Sequence, residues 1–144
     1  MGLVAVLAVA LVGVVAMLLL VSPRPARLPE GARPLTLGTQ TPRFWPPPGF
    51  SCPLAQVPDI RVEREADSLV FSRTDTDERI VILWPPGFSA RHFHGKGELV
   101  APDGTVVADE GDVISSLAGS AADNGDIHVC MTFGSSPQVR PGEP

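Results

Sequence analysis

The chain has no tyrosine, only two cysteines, and one lysine against ten arginines in its 144 residues. The two cysteines show neither a CxxC spacing nor a Cys/His pairing, which excludes the common zinc and thiol-redox motifs. The sequence also lacks a Gly-x-Ser-x-Gly elbow, a Ser-x-x-Lys pair and a Cys/His pair, the usual settings of an activated nucleophile. We therefore expect a protein that is not an enzyme and binds no cofactor.

Charge is absent from the first part of the chain. Residues 2–21 contain thirteen Leu and Val and no polar side chain. Twenty residues in a helix reach ~30 Å, the thickness of the hydrocarbon core of a bilayer. Residues 1–22 are thus predicted to form one transmembrane helix that contacts membrane lipid. The span carries no helix-dimerisation motif, which predicts a monomer or a weak oligomer.

The ends of this span bear on its processing and its orientation. A cleavable signal peptide needs a basic start and a small-x-small site, whereas this run ends in Val21-Ser22-Pro23. The pattern favours an uncleaved signal-anchor, with cleavage as the alternative. Arg24, Arg27 and Arg33 follow the span, and the positive-inside rule would place them in the cytoplasm. The two cysteines and a proline-rich segment favour export, so we expect the domain on the extracytoplasmic side of the cell membrane.

Composition divides the rest of the chain into three parts. Residues 23–50 hold eight prolines and a charge of +3 from four Arg and one Glu, which predicts an extended basic linker. Residues 51–134 are predicted to form the folded domain, and residues 135–144 a disordered tail. The domain has six Arg and Lys against fourteen Asp and Glu, a net charge of −8. Such a surface repels phosphates, so nucleic acid is excluded as a partner.

The domain sequence consists of short β-branched runs separated by turn signals. Pro102-Asp103-Gly104 indicates a tight hairpin, and the most apolar run, Arg79–Trp84, predicts a central strand. The predicted strands are residues 60–64, 68–72, 79–84, 97–101, 105–108, 112–117 and 126–133. Strands at about ten-residue spacing without a helical period predict an all-β fold, either a small OB-like barrel or a small β-sandwich.

Cys52 begins the domain and Cys130 lies in its last predicted strand. A disulfide bond between first and last strands would close a loop of 78 residues and contribute about 4–5 kcal/mol in the loop-entropy model. Two independent thiols are the alternative. We predict the disulfide bond.

Two clusters could in principle bind metal. His92, His94 and Glu98 have the H-x-H-x3-E spacing of a cupin metal site, which makes a metal-binding, cupin-like enzyme the least favoured alternative. The flanking glycines are misplaced for that motif, and an exposed loop after the Pro-Pro turn is the simpler interpretation. The acidic run Asp109–Asp112 lacks the ligand series of a calcium loop and predicts a turn, with Gly111 in a conformation that other residues avoid.

Two segments of the domain carry a resemblance. Trp84-Pro-Pro-Gly-Phe-Ser-Ala-Arg91, followed by the hairpin from Gly97 to Val113, resembles a group of small exported or membrane-anchored β-barrel proteins from high-GC Gram-positive bacteria. Those proteins pair a WP-x-G-[FY]-S-A-R turn with a D-G-x-V-x-A-x-E-G-D hairpin and two cysteines. The resemblance implies a small barrel of the OB shape and implies no particular activity.

The expected function is therefore a non-catalytic binding or envelope module of a single-pass membrane protein. The alternative is an accessory subunit of a larger membrane complex. Its partner would be an envelope protein or a small ligand. The side chains expected to form a ligand surface are Trp84, Phe88, Arg91 and His92.

Overall fold

A computed structural model describes residues 26–40, 55–122, 125–130 and 138–142 of the chain. These residues form strands and turns and contain no helix, which confirms the all-β prediction. In the same ranges there is no helix long and apolar enough to cross a membrane. The predicted span over residues 2–21 lies outside the described residues.

The described residues contain thirteen strands, most of them short. The strands are β1 (Arg33–Leu35), β2 (Ala55–Gln56), β3 (Ile60–Glu65), β4 (Ser68–Arg73), β5 (Arg79–Ile80), β6 (Ile82–Leu83), β7 (Ser89–Phe93), β8 (Lys96–Val100), β9 (Val106–Asp109), β10 (Val113–Ser115), β11 (Ala118–Ala121), β12 (Ile127–Val129) and β13 (Gln138–Arg140).

The strands form three sheets, which we name A, B and C. Sheet A has the order β1-β7-β8-β9, sheet B the order β13-β10-β3-β4-β5, and sheet C the order β2-β11-β12-β6. Strands β12 and β6 pair in parallel, and the other pairs within the sheets are antiparallel. Four of the seven neighbouring pairs in sheets A and B are consecutive strands joined by short turns: β3–β4, β4–β5, β7–β8 and β8–β9.

The turns follow the glycine signals of the sequence. Gly104 has a φ of 91° in the turn between β8 and β9, and its N–H donates to the Ala101 carbonyl at 3.0 Å. Gly111 has a φ of 97° in the turn between β9 and β10. Only glycine adopts these angles at little cost, because a Cβ atom would be strained there. Both turn predictions are confirmed.

All three sheets bury apolar side chains in one core. Ile60 and Val62 come from sheet B, Leu99 from sheet A and Val129 from sheet C, and each is at most 1% exposed. Trp84, directly after β6, is the largest fully buried side chain. Since no single sheet could cover this core, the sheets stabilise one another mainly through the apolar area they bury together.

The apolar run Arg79–Trp84 is not the central strand that the sequence predicted. It divides into β5, at an edge of sheet B, and β6, at an edge of sheet C, with Val81 53% exposed between them. The run is apolar because it passes from one sheet to another across the shared core. Its hydrophobicity therefore reflects burial at two edges rather than in the middle of a sheet.

Both predicted boundaries of the folded part were too narrow. Residues 33–40, assigned to the linker, include β1 and pair with strands of the body. Pro34 is compatible with this because β1 is an edge strand, where a missing N–H is tolerated. Residues 138–140, assigned to the tail, form β13 against β10. Proline content and position near the terminus were misleading because partners far along the chain supply the pairing.

The predicted disulfide bond is only partly within the described residues. Cys130 follows β12 and is buried, and its N–H donates to the Ala118 carbonyl at 2.8 Å. Cys52 lies outside the described residues, so the Cys52–Cys130 bond stays a prediction.

Candidate functional site

Strands β7 and β8 form a tight hairpin that contains most of the sequence-predicted site residues. Its two-residue turn is His94-Gly95, with φ angles of 50° and 85°. Positive φ at both central residues is the geometry that matches the twist of paired strands. The exposed loop predicted around His92 and His94 is thus wrong up to Phe93, which ends β7. The sequence did not predict this strand, because its five residues, Ser89–Phe93, mix apolar and polar side chains and show no clear alternation.

The register of the hairpin decides which side chains can meet. Arg91 lies opposite Glu98, and His92 lies opposite Gly97. Residues directly opposite on paired strands point to the same face of a sheet, and successive residues alternate. Arg91 and Glu98 therefore share the outer face of sheet A. His92 has the same parity as the buried Ala90 and lies towards the other face.

This register contradicts the arrangement that a cupin-like metal site needs. His92 and Glu98 point to opposite faces, so these two side chains and His94 do not converge on one ion. The described part of the chain contains no group of three or more His, Cys, Asp or Glu residues that could hold a metal. The H-x-H-x3-E spacing arises instead from a hairpin whose turn separates His94 from both strands.

The predicted ligand surface of four residues does not form one surface. Trp84 is fully buried, and its ring stacks on Phe88 with centroids 5.4 Å apart and packs against Phe71 at 5.7 Å. Arg91 and His92 are neighbours on β7 and point to opposite faces. Trp84 therefore belongs to the core, where its Nε1–H has no hydrogen-bond partner among the described residues.

On the face of sheet A that points away from the core, the Arg91 side chain contacts both Glu98 and Phe93. Its Nε donates to Glu98 Oε2 at 2.5 Å, and the two side chains are only 12% and 11% exposed. Its guanidinium lies 5.5 Å from the centre of the Phe93 ring, a cation–π distance. The Phe93 ring in turn stacks on His94 with centroids 3.8 Å apart. The charge of Glu98 is thereby neutralised next to a flat aromatic pair.

Strand β9 adds a carboxyl group to this face. Asp109 lies opposite Glu98, and its N–H donates to Asp112 Oδ2 at 2.8 Å. Burial raises the pKa of the Asp109 carboxyl, and the nearby charges of Asp112 and Glu98 raise it further, while Lys96 opposes the shift. Like charges opposite one another destabilise a sheet, so Arg91 and Lys96 compensate an unfavourable pair.

The opposite side of the hairpin holds a second set of charges. Arg33 Nη2 lies 3.4 Å from His92 Nδ1, which must accept because a guanidinium only donates. Glu110 accepts from the Gly97 N–H at 2.9 Å and from Arg64 Nε at 3.0 Å. Burial alone would raise the pKa of Glu110, but the Gly97 N–H, Arg64 and His92 together hold it below its ordinary value. Glu110 is therefore a structural carboxylate that joins sheets A and B.

The hairpin consequently presents basic groups outwards. We define the basic tip as His94 and Lys96, at the turn end of the hairpin, together with the neighbouring ring of Phe93. His94 and Lys96 are exposed, whereas the neighbouring carboxylates of Glu98 and Glu110 are engaged by Arg91 and Arg64. Sequence reasoning selected His92 but missed Lys96, although the only lysine of the chain within four residues of two histidines was a visible signal.

Comparisons of this chain with protein-family models, with curated proteins and with solved structures found no match.

Proposed function

We propose that this protein is a non-catalytic binding module of the cell envelope. Residues 2–21 anchor it as a single-pass membrane protein, and the all-β domain lies on the extracytoplasmic side. The basic tip binds an anionic ligand there. The observation that supports the proposal is that two exposed basic residues, His94 and Lys96, lie together at one hairpin turn, although residues 51–134 have a net charge of −8.

The other exposed arginines of the domain are arranged differently. On the outer side of sheet B, Arg79 pairs with Glu65 at 2.6 Å and Arg61 pairs with Asp77 at 3.1 Å. Within the described ranges, His94 and Lys96 form no ion pair of this kind. The Lys96 ammonium and the His94 imidazole can therefore contact a ligand, which supports the basic tip over the rest of the domain surface.

The aromatic pair at the tip narrows the class of ligand. The exposed His94 ring stacks on Phe93, so an aromatic ring lies two residues from Lys96. A ligand with both a ring and a carboxylate, such as an acidic sugar unit of a polysaccharide, would contact both.

The finer fold is also part of the proposal. We infer that the three sheets curve around their common core as a small OB-like barrel, with a small sandwich as the alternative. The support is that buried side chains of all three sheets belong to one cluster and that residues 33–40 contact each sheet in turn. The two-cysteine pattern and the resemblance described above agree with this inference.

The basic tip can be tested with polygalacturonate, a carboxylated polysaccharide, as the probe. The full chain in lipid nanodiscs should bind it, and the affinity should fall with added salt because exposed charges are screened. The double variant His94→Asn with Lys96→Ser removes the two outermost basic groups. Asparagine tolerates the positive φ of residue 94. At about 0.5–1 kcal/mol for each contact, binding should weaken about five- to thirtyfold.

Arg79→Ser is the matched control, because it removes one exposed arginine from a different sheet. It should leave binding unchanged. Equal weakening by the control, or unchanged binding by the double variant, would contradict the basic tip. The anchor is tested separately: the full chain should remain in membrane pellets after carbonate and high salt, and a soluble species starting near residue 23 would contradict it.

A further inference from the structure

Residues 33–40 run across the whole domain, and we name them the lacing segment. Its first part is β1, which pairs with β7 of sheet A through Arg33–His92, Pro34–Arg91 and Leu35–Ala90. Leu35 and Leu37 pack against the core. The segment therefore closes one edge of sheet A and covers apolar side chains below it.

The middle of the lacing segment contacts sheet B. The Thr36 N–H donates to the Asp67 carbonyl at 2.7 Å, and the Leu69 N–H donates to the Thr36 carbonyl at 3.0 Å. Thr36 thus lies opposite Ser68 in a parallel bridge to β4. Thr36, directly after the edge strand β1 of sheet A, is in this way hydrogen-bonded to sheet B.

The end of the lacing segment contacts sheet C. The Trp84 N–H donates to the Gly38 carbonyl at 2.9 Å, and the Gln40 N–H donates to the Trp84 carbonyl at 2.7 Å. The Gln40 side chain, 9% exposed, donates from Nε2 to the carbonyls of Leu83 and Val129, each at 2.9 Å. A Cβ atom on Gly38 would lie 2.8 Å from the Ile82 carbonyl oxygen, so the groove requires glycine there.

All of these hydrogen-bond partners lie at residue 67 or later. The lacing segment is therefore held by residues far along the chain and not by its own neighbours in sequence. Fourteen residues, 41–54, connect it to β2, and five of them are proline. Fourteen residues reach at most ~46–50 Å. A domain of ~100 residues has a radius of gyration of ~13 Å, or a diameter of about 35 Å. The connection is therefore long enough to reach the same groove on an adjacent copy.

We propose that the lacing segment exchanges between two copies of this chain, so that each copy's residues 33–40 fill the other's groove. The partner is a second copy because the groove fits this sequence: glycine at position 38, an amide at position 40 and leucines at positions 35 and 37. Such an exchange is isologous and closes as a dimer.

The exchange leaves the contacts of each domain unchanged, because an identical strand occupies the same groove. The entropy of association opposes it. Two chains anchored in one membrane have a higher effective concentration than free chains, which reduces that cost. This part of the inference depends on the membrane anchoring proposed above.

Cysteine cross-linking of co-expressed full-length chains tests the exchange. One chain carries Thr36→Cys and one tag, and the other carries Ser68→Cys and a second tag, both with the native cysteines retained. Because residues 36 and 68 lie opposite one another in the bridge, oxidation of membranes should give a species of twice the chain mass with both tags. A single chain with both substitutions sets the reference yield, and we expect the mixed-tag species at a tenth of that yield or more.

Two controls accompany the experiment. The Thr36→Cys chain is also paired with wild type, which reports on the native cysteines, and with Thr105→Cys, an exposed residue of the β8–β9 turn. A mixed-tag yield below a tenth, or an equal yield with either control, would overturn the exchange. A reference chain that does not oxidise would contradict the Thr36–Ser68 contact and the exchange with it.

Failure of the exchange can be told apart from failure of the proposed function. Loss of the chain from membrane pellets contradicts the anchor, and lack of polygalacturonate binding contradicts the basic tip. The exchange itself is judged only by the ratio of mixed-tag to reference species, measured in whichever fraction contains the protein.

Discussion

Replacement of Gln40 by methionine tests whether the lacing segment is part of the cooperatively folded domain. Methionine has nearly the volume of glutamine but donates no hydrogen bond. The carbonyls of Leu83 and Val129 would each lose a donor that now lies at 2.9 Å. Strand β6 lies at the edge of sheet C, where it pairs in parallel with β12. The Gln40 amide therefore adds hydrogen bonds at a strand that has few others.

The expected magnitude follows from burial. A buried polar group that loses its partner costs about 1–3 kcal/mol. The bond to Val129 is buried and the bond to Leu83 is half-buried, where water can replace part of the loss. Together they predict a loss of about 2–4 kcal/mol in the free energy of unfolding. At roughly 4–8 °C per kcal/mol for a domain of this size, Tm should fall by at least ~8 °C.

The assay is thermal unfolding of the full chain in detergent, followed by the near-ultraviolet circular dichroism of its two tryptophans. Thr39→Ala is the matched control, since Thr39 is the exposed neighbour of Gln40. It should melt within ~2 °C of wild type. If Gln40→Met melts as the control does, the lacing segment is not part of the cooperative unit, and the reassignment of residues 33–40 from linker to domain is refuted.

Three further predictions concern charge and the cysteines. The pKa of the Asp109 carboxyl is raised, so the folded protein loses stability as pH rises through that pKa and the group becomes charged. Asp109→Asn removes this charge and should raise Tm at neutral pH, and the gain should disappear in acid. Glu110→Gln should lower Tm at neutral pH, and the deficit should shrink as pH falls through the lowered pKa of the Glu110 carboxyl, because the pairing with Arg64 needs the charged form. Both are read from melting curves across pH, and a pH-independent difference would count against either assignment. Reduction should lower Tm by more than ~10 °C if Cys52 and Cys130 are bonded, and Cys52→Ser alone should reproduce the fall. Free thiols in protein taken directly from cells would contradict the bond and the extracytoplasmic location together.

Only part of the candidate site could be predicted from the local sequence. His92 was selected from its spacing to His94 and Glu98, and the glycine signals of the hairpins were correct. The faces of β7 could not be read, because they depend on which residue of β8 lies opposite Arg91. A shift of one residue in that register would have exchanged Arg91 and His92 between the two faces. Trp84 was expected at a ligand surface but is buried, because an aromatic residue beside two prolines suits a surface turn and a core equally well.

The sequence by itself determined the class of the fold and the places where the chain turns. Both depend on local properties: β-branched runs favour extended backbone, and glycine permits positive φ. Only the tertiary structure decided that the run Arg79–Trp84 serves two sheets and that residues 33–40 are a strand of the domain. The pairing of β6 with β12 and the contacts of residues 33–40 join residues more than thirty positions apart. No local pattern encodes such contacts, which depend on the core that the three sheets share.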